Sequence, residues 1–96
     1  MNNSDLERKL NSVGKKAFVS YFDIFKQYAS DKITREESIS ILFDKRSGNY
    51  AGSAIRVGNA KIIFDNHREL DALKIIIQSN RLSFTIKQEA KRLINL

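Results

Sequence analysis

Cysteine, proline and tryptophan are all missing from this 96-residue chain. Without cysteine there is no disulfide framework and no thiolate metal site, and a disulfide-free domain of this size fits a reducing compartment. No proline, repeat or low-complexity tract divides the chain, which leaves one domain over residues 1–96. No stretch approaches the roughly 20 consecutive apolar residues that span a bilayer. The opening Met1–Lys9 holds no apolar signal-like region, so the expected location is cytoplasmic and no membrane partner is expected. Glycine is scarce, and the four present (14, 48, 52 and 58) fit neither Walker nor dinucleotide-binding spacing. Histidine occurs once, as His67, with no second histidine and no serine-plus-acid pattern beside it. A chain this short buries roughly 60 to 65% of its unfolded surface, leaving little capacity for a deep active-site cavity. These absences argue against an enzyme, a cofactor, a metal site or a small-molecule substrate.

What is present is a helical pattern with a basic charge. Hydrophobic residues make up 42% and charged residues 29%, a globular composition. Seventeen Lys and Arg against eleven Asp and Glu give a net charge of +6. That balance favours an anionic partner, either nucleic acid or an acidic protein face. Three segments match the Ser/Thr-x-x-Glu/Gln capping box: Ser4–Glu7, Thr34–Glu37 and Thr85–Gln88. Asn66–Glu69 offers a related start, which places His67 in a first helical turn facing solvent.

Apolar spacing agrees with these starts. A first helix over about Asp5–Val13 carries Leu6, Leu10 and Val13. A second, from Lys15 to Ala29, lines up Phe18, Phe22, Phe25 and Ala29 as a core stripe. A third, from Arg35 to about Lys45, turns Ile39, Leu42 and Phe43 inward. Two later helices carry Leu70, Leu73, Ile76 and Ile77, then Ile86, Ala90, Leu93 and Ile94.

The segment 50–65 admits two readings. As a helix it has Ala51, Ile55, Gly58 and Ile62 on one side and Val57, Ala60 and Phe64 nearly opposite, two apolar faces on one rod. As strands, 53–57 and 60–64 flank Gly58-Asn59, a recognised two-residue hairpin turn, and would form the wing of a winged helix. The helix is favoured, because the segment lacks clean period-two alternation. The expected fold is therefore all-α, five or six short helices, with a winged helix carrying a hairpin at 53–64 as the alternative.

Thr34 to Asn66 offers a capped helix, a break at Arg46-Ser47-Gly48-Asn49, and a second element from Tyr50. Over these residues, about a third of the chain, the sequence resembles small bacterial and phage helix-turn-helix proteins. It departs from them at Asp44, four before Gly48, where that family usually has a small alanine between the helices. The resemblance implies a second helix that enters the major groove of duplex DNA. Charge supports the location, since no acid occurs from Lys45 to Phe64. Lys45, Arg46 and Lys61 are candidates for phosphate contacts. Asn49, Ser53, Arg56 and Asn59 are candidates for reading bases, and Tyr50 borders them. The function expected is sequence-dependent duplex DNA binding by a small transcriptional regulator, possible as a homodimer through Ile41 and Ile75. The alternative is a basic protein-interaction module, an inhibitor or immunity-type partner of an acidic protein surface. RNA binding usually wants exposed aromatics, and most phenylalanines here belong to the core stripe.

Overall fold

The computed structural model describes residues 1–46 and 49–95, with the backbone alone at 45 and 46. Among them the chain forms seven helices and no strand: α1 (Asn3–Val13), α2 (Lys15–Ser20), α3 (Phe22–Ala29), α4 (Arg35–Arg46), α5 (Tyr50–Asp65), α6 (Glu69–Gln78) and α7 (Phe84–Ile94). The fold is all-helical. The hairpin alternative at 53–64 fails, because Tyr50–Asp65 is a single helix of 16 residues. The expected helix-turn-helix turn at Ser47-Gly48 lies outside the described residues. The two helices it would join, α4 and α5, pack against one another.

Local chemistry sets the boundaries. The Thr34 capping box forms in full: the Glu37 amide donates to Thr34 Oγ1 and the Thr34 amide donates to Glu37 Oε1, each at 3.1 Å. The other two boxes are displaced by a better-placed acceptor upstream. Asn2 caps α1 by accepting from the Asp5 amide at 2.8 Å, and Ser83 caps α7 by accepting from the Ile86 amide at 3.3 Å. Asn66 starts no helix. It ends α5, and His67 follows in the left-handed region with φ 58. The Arg68 amide donates back to Ile63 O at 3.0 Å and the His67 amide to Phe64 O at 2.9 Å, a Schellman closure with histidine where glycine is usual. Asp31, at φ 60, closes α3 in the same way.

The long helix expected over Lys15–Ala29 breaks at Tyr21, whose ψ is 22. Hydrogen bonds continue across the break, from the Tyr21 amide to Ala17 O at 2.9 Å and from the Phe25 amide to Tyr21 O at 3.0 Å. This break allows three consecutive residues, Ala17, Phe18 and Val19, all to be buried. Phe18 lies at the centre of the core. Its ring meets Phe22 edge-on at 5.7 Å and stacks with Phe25 at 6.1 Å and Phe64 at 5.9 Å. Such ring pairs add about 0.5–1.5 kcal/mol each beyond burial. The phenylalanine stripe is core, joined by Phe64 from α5 and by Ile39, Leu42, Leu73 and Ile76. Two residues expected to face inward do not: Phe43 and Leu70 are exposed.

Packing makes α5 the central helix, in contact with α1, α3, α4 and α6, while α6 pairs with α7. Arg68, in the α5–α6 connection, ties the N-terminal residues to the start of α6. It donates to Asp71 Oδ2 at 2.6 Å, to Met1 O at 2.7 Å and to Asn3 Oδ1 at 2.7 Å.

Candidate interaction surface on the fifth helix

A helix advances about 100° per residue, so its side chains sort into faces. On α5 the inward face consists of Ser53, Val57, Ala60, Ile63 and Phe64, all buried. Ala51, Ile55, Gly58 and Ile62 fall on the opposite side, and that side is open. Ile55 is 57% exposed and Ile62 38%. Among the described residues, nothing outside the adjoining turns of the same helix comes within 4 Å of where a Gly58 Cβ would stand. The two apolar faces read from the sequence are both there, but the core of this domain covers only one.

Of the eight residues expected to bind nucleic acid, the six whose side chains are described are not brought together on that open face. The side chains of Lys45 and Arg46 lie outside the described residues. Asn49 is the N-cap of α5, its Oδ1 accepting from the Gly52 amide at 2.5 Å. Ser53 is 3% exposed, because its position on the helix points it into the core. That geometry removes it as a base reader.

Arg56 also points inward, towards α1. Its Nη1 donates to Val13 O at the end of that helix, where terminal carbonyls lack partners within the helix. Gly14 follows with φ 92, and a methyl group there would stand 2.7 Å from Arg56 Nη1. Arg56 thus joins α1 to α5, which turns its guanidinium towards α1 and away from the open face. Asn59 donates from Nδ2 to Ile55 O of its own helix at 2.9 Å.

Lys61 lies on the flank, its Nζ 2.7 Å from Asp65 Oδ2 and 5.7 Å from the Tyr28 ring centroid. The hydrogen bond to Asp65 raises the Lys61 ammonium above the ordinary lysine pKa. Tyr50, 49% exposed, packs edge-on against Phe43 at 6.2 Å.

The residues proposed for a dimer seam are partly covered. Ile41 is half-buried, and Ile75 packs against the core. The uncovered isoleucines are instead Ile55 and Ile62. Their signal was in the sequence as the four-three-four spacing of Ala51, Ile55, Gly58 and Ile62, more apolar surface than one buried face requires.

His67 borders a cleft of about 380 Å³ between the ends of α3, α5 and α7 and the start of α6, lined also by Phe22, Lys26, Leu70 and Leu93. Glu69 lines it too, with Oε2 buried and without a hydrogen-bond partner among the described residues. No group of three or more His, Cys, Asp or Glu side chains among the described residues is arranged to hold a metal ion. Nor is any described helix long and apolar enough to cross a membrane. Comparison with protein-family models, with curated proteins and with solved structures gave no match to this chain.

Proposed function

We propose that this domain is a protein-interaction module whose contact surface is the outer face of α5. The observation that carries the reading is the exposure of Ile55 and Ile62 on the helix that is otherwise the most enclosed in the fold. An apolar stripe at helical spacing is the form taken by helix-on-helix recognition, in which residues at three- and four-residue intervals anchor the partner. The net charge of +6 favours a partner with an acidic rim, as an inhibitor or immunity-type protein would meet. Groove reading of duplex DNA draws less support. Of its four proposed base readers, Ser53 is buried, Arg56 is bonded to α1, Asn49 caps the helix and Asn59 bonds its own backbone.

The test is site-specific photo-crosslinking in producing cells, with a benzophenone side chain at position 55 and a control at the exposed Glu36 of α4. The expected result is a discrete adduct from position 55 that position 36 does not give. Equal or absent labelling at the two positions would overturn the reading.

One observation favours a second reading, single-stranded nucleic acid. The exposed Phe43 and Tyr50 rings flank Lys45 and Arg46 in the sequence, and exposed aromatics beside cations form a base-stacking platform. Phe43→Ala and Tyr50→Ala should then each weaken oligonucleotide binding in fluorescence anisotropy, and unchanged or undetectable binding excludes it.

A further inference from the structure

We infer that the occupant of the outer face of α5 is the same face of a second copy of this chain, packed antiparallel across a two-fold axis. The inference rests on the interaction-module reading and names its partner.

The order of residue sizes along the stripe carries the argument. Ala51, Ile55, Gly58 and Ile62 read small, large, small, large. Turned end for end, the same stripe reads large, small, large, small. With the axis passing between Arg56 and Val57, Ile55 therefore meets Gly58 of the second copy, and Ile62 meets Ala51. Each isoleucine finds a small residue, and the relation is reciprocal, as a two-fold interface requires. A parallel pairing sets isoleucine on isoleucine and glycine on glycine, giving overpacked and empty levels in turn. The vacant space at Gly58 is the hollow that an isoleucine of the second copy needs. The four-three-four spacing is also the one that keeps a seam facing its partner along two packed helices.

Charge agrees with the same alignment. The stripe itself is uncharged, and no acid occurs from Lys45 to Phe64. Asp65 stands at the C-terminal end of α5 with its side chain 47% exposed. Antiparallel packing brings it beside the N-terminal end of the other α5, where the helix dipole is positive and Lys45 and Arg46 precede in sequence. A parallel pair would instead set Asp65 beside Asp65. The seam from 51 to 62 covers only about 16 Å of helix, which puts the contact at the weak end of specific interfaces. Self-association is accordingly expected with a dissociation constant of roughly 50 μM.

The experiment is sedimentation equilibrium of the full chain over about 5 to 500 μM, a range that brackets such an affinity. Wild type should shift from monomer to dimer. Gly58→Leu fills space that is open in the single copy and removes a helix-weakening glycine, so the variant should keep its helical circular dichroism at low concentration. Its dimerisation should nevertheless fall at least about tenfold. Orientation is read by disulfide trapping, which the absence of native cysteine makes clean. An equimolar mixture of Ala51→Cys and Ile62→Cys chains should give the mixed disulfide well beyond the roughly twofold excess over either self-linked species that random pairing produces.

A dimer dominated by 51–51 and 62–62 links overturns the antiparallel geometry, and a Gly58→Leu variant that dimerises like wild type overturns the seam. A wild type that stays monomeric throughout overturns the inference. In that last case, a position-55 crosslink to a different protein leaves the interaction module standing, while no adduct at position 55 ends both.

Discussion

Replacing Arg56 with alanine separates two roles for the same side chain. Were Arg56 a base reader, the substitution would leave stability almost unchanged, because surface substitutions away from special features stay within about 0.5 kcal/mol. In the structure, Arg56 donates to Val13 O across the junction of α1 and α5. A hydrogen bond from a charged donor contributes about 1.5–3 kcal/mol, and the half-buried stem adds packing. A loss of about 2 kcal/mol is therefore expected, from a total of roughly 5–15 for a domain. For a chain of this length that corresponds to a melting temperature lower by about 8–16 °C. Urea unfolding followed by circular dichroism should show a lower midpoint with an unchanged slope.

Gly14 supplies an internal check on that estimate. Gly14→Ala should cost stability twice over, through its positive φ of 92 and through the contact at 2.7 Å with Arg56 Nη1. The backbone strain persists when Arg56 is removed, but the contact does not. The cost of Gly14→Ala should therefore be smaller in the Arg56→Ala background, by about 0.5 kcal/mol or more. Strict additivity, or an Arg56→Ala midpoint equal to wild type, refutes the proposed junction.

Other consequences follow from single sites. His67→Gly should raise stability by about 0.5–1 kcal/mol, because glycine occupies the left-handed region without the strain of a side chain; a lower melting temperature would mean that the imidazole contributes something the backbone argument omits. Thr34→Ala should cost about 1 kcal/mol by removing the hydroxyl that accepts from the Glu37 amide, which thermal denaturation can measure. The Lys61 pKa is raised in the folded state, so the stabilisation from Lys61 is complete below the ordinary lysine value and is lost as pH rises through the folded one. The stability gap between wild type and Lys61→Met should thus stay flat from about pH 6 to about pH 9 and close only above that. A gap that closes below pH 9 contradicts the Asp65 pairing.

The sequence disclosed the parts of this fold that rest on local chemistry. Thr34 and Glu37 meet as their spacing requires, and the phenylalanines of the stripe cluster because periodic apolar residues have one common destination. Where two local solutions compete, the pattern alone does not choose. Asn66 is as suitable for closing one helix as for opening the next, and tertiary packing of Phe64 settles it as a closure. Ser83 displaces Thr85 as the cap of α7 for a similar reason, since both are good acceptors two residues apart. Tyr21 carries no breaker signal, so the bend between α2 and α3 was invisible in one dimension.

The candidate site was harder to read than the fold, because helical periodicity gives relative directions and not the direction of solvent. From Ala51 to Phe64 the sequence places apolar residues on two sides, and only the third dimension tells which side meets α1, α3 and α4. The polar residues between those sides resemble a reading surface only while the inward direction is unknown. Once Val57, Ala60, Ile63 and Phe64 define it, Ser53 and Arg56 lie on the inward half of the same helix, Ser53 buried and the Arg56 guanidinium bonded to α1. What remains outside is isoleucine, alanine and an unoccupied hollow at glycine. Such a surface has few donors for phosphate oxygens or base edges, which supply most hydrogen bonds at a protein–DNA interface. It does have apolar area, and removing apolar area from water is the main driving force of most protein–protein association. The basic charge that first pointed to DNA then acts at the rim of a contact, where charge governs encounter and choice of partner more than affinity.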